Sequence, residues 1–271
     1  MKNFEKILQD IKEVKIQGAT NIALAGARAF IQNPLKSSAK KILSTRPTEP
    51  LLQNTIKYLL KSKNPKTVSK KLFDYIKKSQ AKIALTGSKL IKNDMNIFTH
   101  CHSSSVISIL KQAKKQKKNF VVYTTEVEPL LQGRQTAEEL AKLKIRVIVF
   151  PDLAFQQALK NCDLVLFGAD AYLPKFAVNK IGTSTICDTA QHLGIPRYSV
   201  GISLKFTKKI KMEFRNAKEV WNDQNKNIDI VNPAFDKIPK KLLTGVVSEF
   251  GVLSYNQFIK KAKQNLKRFL K

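Results

Sequence analysis

The stretch that decides the fold is Leu164-Val165-Leu166-Phe167-Gly168-Ala169-Asp170, followed by Asn179-Lys180-Ile181-Gly182-Thr183. Four apolar residues in a row before a glycine predict a strand buried on both faces. Strands of that kind belong to open α/β sheets, whose chemistry gathers at the strands' C-terminal ends. Asp170 stands at such an end. After a short loop, the Asn179-Lys180 pair reads as the opening of a helix.

Outward from this point the same rhythm repeats. Candidate strands are Asn96–Thr99, Phe120–Thr124, Arg146–Phe150, Leu164–Phe167 and Arg197–Gly201. Helix-like segments lie between them at Ser104–Lys117, Arg134–Leu143, Leu153–Lys160 and Thr183–His192. Short apolar strands alternating with helices predict a parallel sheet with right-handed crossovers. Residues 202–240 read as irregular, with Pro233, Pro239 and the polar run Asn222–Asn227. Val246-Val247 predicts a late strand, and Tyr255–Leu270 a terminal basic helix. Upstream of residue 93 the pattern is helical. Phe4, Ile7, Leu8, Ile11, Val14 and Ile16 give an amphipathic first helix, and Ala19–Phe30 a buried one. Pro47 and Pro50 forbid helix interior around Ser44–Thr48. Leu51–Leu60 is helical again, and Val68–Ile91 predicts one long helix. The expected organisation is α/β, with an N-terminal helical domain (1–92) before a parallel-sheet domain (93–271).

Composition narrows the class. Apolar residues make up 43% of 271, enough for a real core. Cys101, Cys162 and Cys187 form no paired spacing, which excludes a disulfide scaffold or zinc ribbon and fits a reducing cytoplasm. No stretch reads as a signal peptide or membrane span. The formal charge of +29 invites a nucleic-acid reading, but only seven of the 49 basic residues are Arg. Nucleic-acid surfaces use Arg for forked contacts. Scattered Lys is therefore read as compositional bias, with a basic field that attracts phosphorylated small molecules.

Two constellations carry chemistry. Thr99-His100-Cys101-His102-Ser103-Ser104-Ser105 spans a strand end and a helix start. The helix dipole and free backbone N–H groups there favour a thiolate at Cys101 and could hold a phosphate. The alternative is a small buried Cys beside an ordinary Ser N-cap. A metal would need more convergent ligands than His100, Cys101 and His102, and no second cluster exists. A Cys-His hydrolase would need a distant His, and His192 sits near the far end of its helix. Cys162 and Cys187 read as packing residues. In the second constellation, burial would raise the pKa of Asp170 and let it hold a proton near neutrality. The alternative is an Asp that merely caps the next turn. Asn179 and Lys180, at a helix start, become an anion or hydroxyl contact.

These residues resemble the isomerase group related to the regulatory subunits of translation initiation factor 2B, which includes ribose-1,5-bisphosphate and methylthioribose-1-phosphate isomerases. The resemblance runs through Gln17-Gly18-Ala19, Ser44–Thr48, Thr99-His100-Cys101 with its serines, Thr125-Glu126 to Pro129, Leu131–Arg134, Gly168-Ala169-Asp170, Asn179–Thr183, Lys205-Phe206 and Asn232–Asp236. It implies a Rossmann-like sheet domain behind the helical one, and a homodimer or larger assembly. It also implies Cys101 and Asp170 as the catalytic pair, with substrate held by Gly18, Ala19, Arg46, Ser103, Ser104, Asn179, Lys180 and Lys205. The implied activity is aldose–ketose isomerisation of a sugar phosphate without metal or organic cofactor. Ribose 1,5-bisphosphate is the first substrate and methylthioribose 1-phosphate the second. The alternative from another class is a non-catalytic regulatory subunit that partners initiation factor 2. The chain departs from the group's isomerases at two positions, Gln17 and Glu128, where they carry Arg as a phosphate contact. A lost charge-assisted contact costs about 1.5–3 kcal/mol.

Overall fold

The computed structural model describes residues 2–222 and 225–270, so Asp223 and Gln224 of the expected polar run Asn222–Asn227 lie outside the described residues. Five helices come first: α1 (Lys2–Lys12), α2 (Ala19–Gln32), α3 (Lys36–Thr45), α4 (Pro50–Leu60) and α5 (Pro65–Gly87). The first helix is shorter than expected. It stops at Lys12, and Val14 then takes a positive φ of 61°, which leaves Ile16 beyond it. The long helix starts earlier than its apolar pattern, because Asn64 accepts from the Thr67 amide and Pro65 fills the first turn. It ends at Gly87, and a short 3-10 turn covers Ser88–Leu90.

The remainder alternates as β1 (Met95–Thr99), α6 (Ser104–Lys115), β2 (Phe120–Thr125), α7 (Gln132–Lys142), β3 (Arg146–Phe150), α8 (Phe155–Leu159) and β4 (Leu164–Gly168). There follow β5 (Ala171–Tyr172), β6 (Phe176–Lys180), α9 (Thr183–His192), β7 (Arg197–Val200), β8 (Phe235–Pro239), β9 (Gly245–Ser248), β10 (Gly251–Leu253) and α10 (Tyr255–Leu270). The main sheet runs β3-β2-β1-β4-β7-β9-β10, parallel except for the antiparallel edge strand β10. Strand order reverses between β1 and β4, which is the topological switch point of a Rossmann-like sheet. Every residue of β4 is buried, as its apolar run requires.

Two expectations are corrected. Asn179 and Lys180 do not open a helix. They end β6, which pairs antiparallel with β5 and β8 in a separate three-stranded sheet. The helix starts at Thr183, after Gly182 in the left-handed region. Residues 202–240 are not wholly irregular, because β8 lies at their end and pairs Asp236 with Asn179.

One apolar cluster joins Leu72, Ile76 and Ile83 of α5 to Val106 and Ile109 of α6 and to Ile97 and Leu166 of the sheet. A second packs Phe167, Tyr172 and Ile186 against Phe258 and Ala262 of α10. We propose residue 92/93 as the boundary between two parts that share this packing.

Candidate active site

A cavity opens at the switch point. Its floor is made by the residues leaving β1 and β4. The register Ile97 to Leu164 and Phe98 to Val165 holds those strand ends side by side, so Cys101 and Asp170 enter one cavity. Cys101 has a positive φ of 68°, and Val14, which also lines the cavity, one of 61°. Non-glycine residues rarely adopt that backbone, and it concentrates at working sites. Gly168 must be glycine for a different reason: a Cβ there would lie 2.6 Å from Ser103 Oγ. The close approach lets Ser103 cap α6, accepting from the Val106 amide.

All ten residues expected at the site line this cavity: Cys101, Asp170, Gly18, Ala19, Arg46, Ser103, Ser104, Asn179, Lys180 and Lys205. Gly18 (φ 81°) and Ala19 bring in the N-terminus of α2, whose first turn has no side-chain cap. With the N-terminus of α6 this gives two helix starts at the cavity, both favourable to anions. Asn179 donates to Thr183 Oγ1 at 3.0 Å, and Thr183 Oγ1 donates to the Lys180 carbonyl at 2.6 Å. That closed turn fixes Asn179 and Lys180, both buried. Buried Lys205 donates from Nζ to the Ala169 carbonyl at 2.5 Å.

The electrostatics correct one expectation. Cys101 is not a thiolate in the ligand-free protein. Burial pushes its thiol up to about 12, with Asp170 adding to the rise against Lys180. Its Sγ donates to Gln132 Oε1 at 3.5 Å. The helix N-terminus lies beyond Cys101, with Ser103 already occupying the cap, and desolvation outweighs it. Burial also raises Asp170, against the pull of Lys205, Arg46 and Lys180. The Asp170 amide donates to the Val178 carbonyl, and its carboxyl makes no hydrogen bond among the described residues. Burial lowers Lys205, which Asp170 and Glu49 oppose. His100 is lowered by burial and bonded through Nε2 to the Ile181 carbonyl, so it supports the loop rather than facing the cavity. His102 is held by Thr136 and Glu139 of α7.

Glu49 and Arg215 also line the cavity without having been singled out, and so does Gln132, quoted only within the motif Leu131–Arg134. Glu49 follows Arg46 by three residues, across the turn between α3 and α4, and sits 3.4 Å from its Nη2. Arg46 Nε also lies 3.7 Å from Glu213, which pairs with Arg215 at 3.0 Å. The acid in Thr48-Glu49-Pro50 at a helix start was a visible signal. Arg215, in an irregular segment, carried none. Of the two departures from the isomerase pattern, Gln17 lines the cavity and accepts from Gln132 Nε2 at 3.5 Å. Glu128 is exposed and outside the cavity lining.

The chain is 33% identical to the ribose 1,5-bisphosphate isomerase of Methanocaldococcus jannaschii, over 90% of this chain and 89% of that protein. The solved structure of the Pyrococcus horikoshii OT3 translation initiation factor eIF-2B matches with a TM-score of 0.85 at 25% identity, over 94% of this chain and 98% of that one. The 5-methylthioribose 1-phosphate isomerase of the same organism shares the fold, with a TM-score of 0.81 at 22% identity over 97% and 88% of the two chains. The sequence profile of the initiation factor 2 subunit family matches residues 4–255, and the chain belongs to that family.

Proposed function

We propose that the chain is a sugar-phosphate aldose–ketose isomerase that converts ribose 1,5-bisphosphate to ribulose 1,5-bisphosphate. The observation that carries this reading is the convergence of Cys101, Asp170, Arg46, Asn179, Lys180 and Lys205 on one cavity at the β1/β4 switch point. The activity named for the M. jannaschii relative supports the substrate.

A phosphate on C1 fixes the sugar ring and leaves no free aldehyde. Ring opening must then accompany loss of the C2 proton, with a base on one side and an acid at the ring oxygen. In this reading Cys101 takes the C2 hydrogen as a proton. Its electron pair forms a C1–C2 double bond, the bond from C1 to the ring oxygen breaks, and Asp170 protonates that oxygen. The enol then loses its C2 hydroxyl proton and gains a proton at C1, giving the ketone with no net change of oxidation state. The buried thiol becomes a base by passing its proton to the Asp170 carboxylate, so the two groups titrate as one pair. Lys180 is the cation that favours the thiolate. Arg46, Lys180, Lys205 and the start of α2 face the phosphates.

Turnover of ribose 1,5-bisphosphate and methylthioribose 1-phosphate by purified protein tests the reading. Cys101→Ser should abolish turnover while sugar-phosphate binding persists, and an active Cys101→Ser enzyme would rule out the assignment. A second reading, a non-catalytic regulatory subunit, is favoured by Gln17 and by Arg46 already being engaged by Glu49 and Glu213. Failure to turn over either sugar phosphate, with association to an initiation factor 2 subunit, would establish it. The isomerase reading includes a cytoplasmic homodimer, which mass measurement in solution and fractionation of cells would check. No described helix is long and apolar enough to cross a membrane.

A further inference from the structure

Glu49 introduces a carboxyl into a cavity otherwise suited to anions, and its surroundings do not satisfy it. Its side chain is 2% exposed. Oε1 lies 3.4 Å from Arg46 Nη2, whereas Oε2 has no hydrogen-bond partner. At the other end of the turn between α3 and α4, Arg46 Nε is buried and likewise makes no hydrogen bond. A carboxyl oxygen without a hydrogen-bond donor and a guanidinium nitrogen whose nearest acceptor, Glu213 Oε2, lies 3.7 Å away thus belong to two side chains that line one cavity. Buried polar groups left this way cost free energy, and an orphaned pair in a cavity wall marks where a ligand completes the bonding. A phosphate oxygen would satisfy Arg46 Nε but would repel Glu49 once Glu49 is ionised. A hydroxyl satisfies both, since it donates and accepts at once.

We infer that Glu49 is a specificity-determining residue whose Oε2 bonds a hydroxyl of the sugar ring, so that the site selects a hydroxylated sugar phosphate over a bare phosphate. The inference rests on the proposed sugar-phosphate reading of this cavity and adds to it a contact that the residues matching the family pattern do not include. The neighbourhood favours this role. Burial and Asp170 raise Glu49 to about 8, against Arg46 and Lys205. Near neutrality the group is largely an acid that donates to the hydroxyl oxygen, and at higher pH a carboxylate that accepts from it. The contact survives either state, which neither a phosphate nor an apolar group would allow. The rival explanation is that Glu49 only neutralises Arg46.

The two explanations predict opposite changes in binding. Calorimetric titration of the Cys101→Ser protein, with and without Glu49→Ala, Glu49→Gln or Glu49→Met, would use ribose 1,5-bisphosphate, ribose 5-phosphate and inorganic phosphate as probes. If Glu49 bonds a hydroxyl, Glu49→Ala and Glu49→Met weaken both sugar phosphates about tenfold. Glu49→Gln stays within about threefold, and inorganic phosphate binds as well or better in all three. If Glu49 only screens Arg46, removing it tightens all three probes, and that result overturns the inference. Thermal unfolding identifies any variant that fails to fold, and the Met variant preserves the volume of the side chain. Protein that binds the sugar phosphates but, with Cys101 intact, turns none over overturns the isomerase reading alone. Protein that binds neither sugar phosphate overturns the inference itself.

Discussion

The Cys101 thiol donates to Gln132 Oε1 across 3.5 Å, and burial beside Asp170 pushes it up to about 12. Below that value the thiol holds its proton, and each pH unit upward raises the thiolate fraction about tenfold. The proton that Cys101 passes to Asp170 stays within the pair, so kcat/KM should hold a plateau while the pair keeps one proton rather than follow the free thiolate fraction. Alkylation of the ligand-free protein by iodoacetamide should be slow at neutral pH and accelerate with the thiolate fraction. Cys162 and Cys187, also pushed to about 12 by burial, should stay unmodified in the folded protein. Fast alkylation of Cys101 at about pH 6 would remove this account of the site.

Glu49 makes stability depend on pH with a definite sign. Its folded value is raised from 4.5 to about 8, so between those limits the folded state holds a proton that the unfolded chain has released. Stability therefore falls as pH rises through that window. Glu49→Gln removes the effect while keeping the shape of the side chain. Its melting temperature should exceed that of the parent at about pH 8 by several degrees, for a gain on the order of 2 kcal/mol. The difference should vanish near pH 5. Parallel melting curves across that range would contradict the assignment.

Gly168→Ala tests how the two strand ends are joined. The new Cβ would meet Ser103 Oγ at 2.6 Å and Ser103 Cβ at 2.8 Å, closer than packed atoms tolerate. Ser103 must then leave its capping position on α6, at a cost of about 1–3 kcal/mol. Because Ser103 is two residues from Cys101, turnover should fall more than tenfold while the helical content measured by circular dichroism persists. An unchanged kcat would mean that the cap does not position Cys101.

Much of this arrangement could be read from the residues, for a reason that also explains the failures. Strands β1 to β4 and β7 are short apolar runs set between turn signals, so local pattern suffices. The β6 strand ends in Asn179-Lys180 just before Gly182-Thr183, and that local signal imitates a helix start. Its partner β8 is Phe-Asp-Lys-Ile-Pro, with two charges and a proline, more than fifty residues away. No window of sequence contains both strands of that pairing. The cavity followed the same rule. Arg46, Cys101 and Asp170 sit in recognisable motifs, whereas Arg215 reaches the site from a segment without any pattern. The state of Cys101 was misread because a helix N-terminus is visible in sequence and desolvation by the rest of the fold is not.

Lys205 offers the sharpest test of how the charges are balanced. Its buried Nζ donates to the Ala169 carbonyl, one residue before Asp170, and it is the cation that most strongly lowers the pKa of Asp170. Lys205→Met leaves that carbonyl unpaired and removes the charge that offsets both Asp170 and Glu49. The fold should lose about 1–3 kcal/mol, and sugar-phosphate affinity should fall at least tenfold. The loss of affinity alone would not separate a direct phosphate contact from an effect through Asp170. A double-mutant cycle does so, because coupled neighbours are not additive. If Lys205 acts by holding Asp170 charged, its substitution costs much less stability in an Asp170→Asn background, where no carboxylate needs a cation. If the two substitutions add, Lys205 serves the carbonyl and the phosphate, and the protonation of Asp170 is set by burial alone.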